Sequence, residues 1–320
     1  MTMNPILSDS SAPTYAALVL GSDSFRLLVA SYRGGMPQAL DGEHVPLRLA
    51  ASLDASGCLS EDAIRDALAC VTRLRDRLRA HSLAAVRAVA TSTLRMARNA
   101  HLFLPAAQQA LGMEVRVLSG EEEAMLTWLG VAGAAPAGIR TLALGIGGGS
   151  TQFALGQGMR VERAGSVALG TVRQALTFFA NGRIDAVSFA AAVASARVRL
   201  ADYAAGYGLG ARDCAYGASG TIHTLARLAR ENGADGVSSS GGALKRADLE
   251  LLGARILEQA GGGRPLAGLG RLLLRDVAAA LAILIALMEE LEISALLQTD
   301  AGLRHGLLHD LHRRRQAQPA

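Results

Sequence analysis

The sequence predicts an α/β protein of two similar domains flanking a phosphate-binding cleft. Three observations carry this reading. Strand-like runs alternate with amphipathic helical ones along the chain, the pattern of mixed or parallel sheets covered by helices. The segment Ala17-Leu18-Val19-Leu20-Gly21-Ser22-Asp23-Ser24-Phe25 is echoed by Ala143-Leu144-Gly145-Ile146-Gly147-Gly148-Gly149-Ser150-Thr151, each reading as strand, glycine–serine loop, strand. Between the copies lies Ala132-Gly133-Ala134-Ala135-Pro136-Ala137-Gly138, a small-residue break that suits a domain boundary. The expected domains are 14–133 and 138–312, with flexible termini at 1–13 and 313–320. A chain of 320 residues is long enough for two buried cores.

The first strand is expected over 15–20, and a second over 25–32 after the loop. Ser60 fits an N-cap, with Glu61 and Asp62 in the first turn, and Ile64, Leu68, Val71, Leu74 and Leu78 follow at helical spacing. Residues 86–90 read as a buried strand leading into Thr91-Ser92-Thr93 and a helix. Residues 115–118 read as another strand before a capped helix. The second half opens with a strand at Thr141, contains a loose stretch at 237–243, and carries a long helix near 277–291.

Composition narrows the class. Hydrophobic residues make up 50% and charged residues 19%, which is globular, and aromatics at 4% are too few for a base-stacking platform, so no nucleic-acid partner is expected. The net charge is +4 with Lys245 the only lysine, and His312-Arg313-Arg314-Arg315 reads as a solvated helix end. Cys58, Cys70 and Cys214 are odd in number and far apart, which fits a reducing compartment. The N-terminus lacks a signal-peptide pattern, and the apolar run 277–288 is too short for a membrane span of about 20 residues, so a cytoplasmic protein is expected.

Small residues in a strand-to-strand turn let backbone N–H groups converge on anionic oxygens, and the hydroxyls of Ser24, Ser150 and Thr151 add donors. Neither loop is a Walker A motif or a dinucleotide fingerprint. One such loop is usually only a turn; two matched loops opening two domains point to a shared phosphate site. Ser119 and Glu122 have capping-box spacing and Glu121 suits the helix dipole, which leaves Glu123 without a structural duty. Spacing alone makes it one more acidic residue at a helix start; facing a phosphate cleft, it could take a proton from water. Tyr216-Gly217-Ala218-Ser219-Gly220-Thr221 feeds a helix N-terminus, another anion-binding arrangement. Arg95 follows Thr91-Ser92-Thr93, where its guanidinium could fork onto phosphate oxygens. His305 and His309, four apart on the last helix, lack a carboxylate partner for a metal.

Taken together these segments resemble the exopolyphosphatase/guanosine-pentaphosphate phosphatase family of the actin and sugar-kinase superfamily. The resemblance also draws on Leu169-Gly170-Thr171-Val172-Arg173 and Gly302-Leu303-Arg304-His305-Gly306, and it runs from about Tyr15 to His309. It implies two actin-like (ribonuclease H-like) domains in the family's short form and hydrolysis of terminal phosphoanhydrides of polyphosphate or guanosine pentaphosphate. It also implies a magnesium or manganese ion, and a homodimer is common in the family. On it, Glu123 matches the catalytic base. Ser22, Asp23, Ser24, Arg95, Gly147, Gly148, Gly149, Ser150, Thr151, Gly170, Arg173, Gly217, Ser219 and Gly220 form the phosphate-binding set.

Three departures from the family pattern bear on the metal, whose ligands the sequence leaves unknown. Val19 and Gly145 stand where the family has aspartates, and Gln152 where it has glutamate; Asp23 replaces an asparagine. Two readings stay open: a hydrolase with a rebuilt site, and a non-catalytic polyphosphate or nucleotide binder. A kinase of the same superfamily is disfavoured, because no acceptor signature accompanies Glu123.

Overall fold

Alternation of large aliphatic and small residues buries the first strand on both faces, and it becomes the middle of a sheet. The structure, a computed structural model, describes residues 12–136, 138–208, 210–233, 242–270 and 272–317. In the first half, β1 (Thr14–Leu20), β2 (Ser24–Arg33), β3 (Met36–Pro46), β4 (Ala85–Ala90) and β5 (Val115–Val117) form a sheet in the order β3-β2-β1-β4-β5. β1 is antiparallel to β2 and parallel to β4, which is parallel to β5. The helices α1 (Glu61–Arg79), α2 (Ser92–Met96) and α3 (Ala100–Leu111) complete the crossovers. Ser60 caps α1 by accepting from the Ala63 N–H, and Val71, Leu74 and Leu78 are buried against the sheet.

After α4 (Gly120–Ala132) the topology repeats. The strands β6 (Arg140–Ile146), β7 (Thr151–Gln157), β8 (Arg160–Val167), β9 (Cys214–Gly217), β10 (Leu244–Lys245) and β11 (Ala295–Gln298) are ordered β10-β11-β9-β6-β7-β8. Both halves thus begin with a three-strand meander whose first strand then pairs in parallel with a later one. The helices are α5 (Thr171–Phe178), α6 (Ala186–Tyr207), α7 (Gly220–Glu231), α8 (Arg246–Ala260), α9 (Leu274–Glu290) and α10 (Leu303–Ala317). Residues Val277 to Met288 of α9 are buried in the second core, which accounts for their unbroken apolarity. Among the described residues no helix is long and apolar enough to cross a membrane.

Three features differ from the sequence reading. β3 is an edge strand whose polar Gln38, Asp41 and Glu43 disguise it as a loop. The helix α10 runs through residues 313–317, where a flexible tail was expected. There Arg314 pairs with Asp310 at 2.8 Å and Arg315 donates to the Ala84 carbonyl at 3.0 Å. The third difference concerns packing. α4, from the first half of the chain, buries Ala124, Trp128 and Val131 against Ala143 and Ala154 of the second sheet. α10, from the second half, buries Leu307 and Leu308 against Tyr15, Ala17 and Val19 of the first. The two helices cross at glycines: a Cβ on Gly130 would meet the Gly302 carbonyl oxygen, and one on Gly306 the Leu126 oxygen. Of the loose stretch expected at 237–243, residues 237–241 lie outside the described residues.

Candidate active site

The two matched loops have the same internal geometry. Gly21 N–H donates to the Ser24 carbonyl at 3.1 Å, and Gly147 N–H to the Ser150 carbonyl at 2.8 Å. They face each other across the cleft: a Cβ on Gly148 would lie 3.2 Å from Cβ of Ser22, and one on Gly149 would lie 2.5 Å from Oγ of Ser92. Only hydrogen at those α-carbons permits this approach. Gly170, immediately before α5, packs its α-carbon on the backbone of Gly148 and Gly149.

Each loop serine receives an N–H. Ser22 Oγ accepts from Thr93 N at 3.1 Å, Ser24 Oγ from Arg26 Nε at 3.0 Å, and Ser150 Oγ from Gln152 Nε2 at 2.6 Å. Ser219 accepts from Ile146 N at 3.1 Å and caps α7 through Ile222 N at 3.4 Å. Thr151 is fully buried and donates to the Leu169 carbonyl at 2.6 Å, so its hydroxyl holds the loop and does not face the cleft. Asp23 is exposed at the loop tip, its carbonyl accepting from Leu47 and Arg48. Gly217 packs on Ile222, and Gly220 lies under the guanidinium of Arg26. Arg173 is exposed on α5.

At the start of α4 the capping box forms as its spacing predicts: Ser119 Oγ accepts from Glu122 N at 3.1 Å, and Glu122 Oε2 from Ser119 N at 2.9 Å. Glu123 is thereby left free of the cap. Its side chain is 12% exposed, and Oε2 has no hydrogen-bond partner although Arg95 Nη1 lies 3.5 Å away. Arg95 Nη1 is instead aimed at the Leu118 carbonyl, 2.6 Å distant. Burial pushes the Glu123 carboxyl up to about 7, with Arg95 pulling it back only partly. Ser92 Oγ and Thr93 Oγ1, at the start of α2 beside Gly149 and Ser22, are likewise buried without partners. Three buried polar groups are thus left without partners, Ser92 Oγ and Thr93 Oγ1 beside the two loops and Glu123 Oε2 beside Arg95, an arrangement a ligand resolves.

Sequence reasoning assigned no role to a second set of cations, although Arg304 lies in a segment that carries the resemblance. Arg26 on β2 and Arg304 on α10 are both held below the ordinary arginine value, chiefly by burial, and Arg304 also by the charge of Arg26. Among the described residues neither has an ion-pair partner; Arg26 donates to Ser24 and Arg304 to the Leu27 carbonyl. The sequence signal was faint, one arginine among many, because only the fold brings position 26 beside 304 and 220. Arg48 on the first half pairs with Asp276 of α9 at 2.6 Å, spanning the cleft. His309 hydrogen-bonds Tyr32 and packs on Gly133. A separate cavity of about 470 Å³, lined by Tyr32, Trp128, Pro136, Ile139 and His309, shares none of the loop residues.

Comparison with known proteins agrees with this fold. Residues 28–315 match the Ppx/GppA phosphatase family. Guanosine-5'-triphosphate,3'-diphosphate pyrophosphatases of Vibrio campbellii and Aliivibrio fischeri are 34% and 33% identical over 301 and 305 residues, or 94% and 95% of this chain. The chain spans 60% of the length of these relatives. Among solved structures, the Aquifex aeolicus PPX-GPPA enzyme has a TM-score of 0.75 at 25% identity, covering 93% of this chain and 99% of that one. An exopolyphosphatase from Cytophaga hutchinsonii has a TM-score of 0.82 at 21% identity, covering 94% and 98%. With its duplicated actin-like halves and their facing loops, the chain belongs to the Ppx/GppA phosphatase family.

Proposed function

We propose that the chain is a phosphoanhydride hydrolase that releases the terminal phosphate of polyphosphate or of guanosine pentaphosphate. The observation that carries this reading is Glu123: a carboxylate at the start of α4 beside Arg95, with a buried, unpaired oxygen and a proton affinity matched to neutral pH. Its carboxylate takes a proton as a water oxygen bonds to the terminal phosphorus. The bridging P–O bond breaks, and the shortened chain leaves with the electron pair. Arg95 and the N–H groups of residues 22–24 and 148–150 hold the oxygens on which charge develops. The names of the relatives support the substrate class.

The family implies a magnesium or manganese ion, and the donor set here does not fit one. Magnesium takes hard oxygen ligands in near-ideal geometry. Val19 is apolar and buried, Gly145 has no side chain, and Gln152 turns an amide N–H toward Ser150. Among the described residues no three His, Cys, Asp or Glu side chains gather where they could hold a metal.

The same three positions favour a second reading, a binder that holds the anion without cutting it. Phosphate release from medium-chain polyphosphate and from guanosine pentaphosphate, compared between wild type and Glu123→Gln, separates the two. Release lost only in the variant supports hydrolysis. Tight binding without release in either protein supports the binder, and equal release in both excludes Glu123 as the base.

A further inference from the structure

We infer that this cleft recognises its anion directly, through hydroxyl, N–H and guanidinium donors, and that Gly145 and Gln152 have converted the seat of a cation into part of that donor set. The inference rests on the phosphate-chain reading above and deepens it.

Gly145 and Gln152 stand directly opposite each other in the β6–β7 register. Gln152 is 5% exposed and hydrogen-bonded through Nε2 to Ser150 Oγ, with Oε1 on the Gly145 side. The direction of that hydrogen bond matters. A carboxylate at position 152 can only accept, and so would take the Ser150 proton. An amide N–H donates, occupies a lone pair of Oγ, and leaves the Ser150 O–H free to donate elsewhere. Ser22, Ser24 and Ser219 are handled in the same way, each accepting an N–H. Four serines in three loops are thus turned into donors. Donors suit phosphate oxygens, and each N–H accepted leaves fewer lone pairs for a cation: one on Ser22, Ser24 and Ser150, none on Ser219.

The charge balance agrees. Arg26 and Arg304 are partly buried cations without carboxylate partners among the described residues, and Arg95 leaves its carboxylate neighbour short of a hydrogen bond. Such a set attracts a polyanion that arrives without a protein-held counterion. The backbone of the lost site persists nevertheless. A Cβ added to Gly145 meets only Gln152 Oε1, at 3.6 Å, an ordinary contact, so the strand accepts a side chain at that position.

The test titrates medium-chain polyphosphate and, separately, Mn²⁺ alone into wild type, Gln152→Glu and the Gly145→Asp/Gln152→Glu pair, reading heat and Mn²⁺ paramagnetic resonance. Expected for wild type is a polyphosphate affinity within about twofold in EDTA and in Mg²⁺ at equal ionic strength, with no saturable Mn²⁺ site. Gln152→Glu, nearly isosteric, should weaken polyphosphate binding in EDTA by about tenfold or more, from charge repulsion and the reversed Ser150 bond. The paired variant should acquire one saturable Mn²⁺ site. Tenfold weaker wild-type binding in EDTA, or a stoichiometric Mn²⁺ site in wild type, would overturn the inference. If wild type binds no polyphosphate, the functional reading fails, and the Mn²⁺ titrations still decide whether the cation seat has been lost. Should the paired variant fail to fold, the wild-type and Gln152→Glu arms suffice.

Discussion

Glu123 Oε2 lies 3.5 Å from Nη1 of Arg95, yet no hydrogen bond joins them, because Arg95 is turned to the carbonyl of Leu118. A carboxylate in a dry site with a half-engaged cation beside it is a stronger base than one fully paired. The Glu123 carboxyl titrates near 7 for this reason, burial outweighing the Arg95 charge.

Phosphate release should therefore rise with pH through about 7, as Glu123 ionises. Glu123→Gln should reduce release by about 100-fold or more while polyphosphate still binds. An unchanged rate would remove Glu123 from the chemistry. The same shift predicts a stability effect. A carboxyl whose folded value is raised loses stability as pH climbs from the unfolded value through about 7. Glu123→Gln should thus stabilise the fold at pH 8 by up to about 3 kcal/mol and leave it unchanged below the ordinary glutamate range, which denaturant titrations at the two pH values resolve.

Arg95 pulls Glu123 down, so Arg95→Ala should move the acid limb of the pH–rate profile to higher pH and weaken substrate binding. Arg95→Lys keeps the charge but loses the planar fork and should recover the limb better than the binding. Coincident profiles for wild type and Arg95→Ala would show that the two side chains are uncoupled.

The crossing of α4 and α10 leaves no room at Gly306, where a Cβ would overlap the Leu126 carbonyl oxygen. Gly306→Ala has to separate two helices that each cover the other half's sheet. It should cost about 2 kcal/mol or more in urea unfolding. A loss below about 0.5 kcal/mol would mean that the helices part freely.

His309 is buried beneath Tyr32, and burial holds it near 4, well below an ordinary imidazole. The unfolded chain then binds more protons between about 4 and 6.5, so stability falls as pH drops through that window. His309→Gln should flatten this acid limb. Tyr32→Phe removes the hydrogen-bond partner of a buried nitrogen and should cost about 1–3 kcal/mol at neutral pH. Melting curves from pH 4 to 8 test both.

Much of the site was legible because its signals are local. A glycine–serine turn between two strands specifies its own hydrogen bonds, and a capping box specifies which of three adjacent glutamates is left over. Short apolar runs beside glycine–serine turns marked the core strands, and helical spacing marked α1. What could not be read is what depends on distant neighbours. The edge strand β3 looks polar because one partner strand suffices to hold it. Arg26 and Arg304 are 278 positions apart in the chain, and only the docking of α10 on the first sheet makes them neighbours. The exchange of α4 and α10 between sheets has no local signature beyond two glycines. By itself the sequence determined the duplicated α/β halves, the loops and the spare glutamate, since backbone sterics and hydrogen-bond capacity act within a few residues. Tertiary structure alone decided which hydroxyls donate, which arginines stay unpaired and how basic Glu123 becomes, because burial and electrostatics are set by what packs across the cleft.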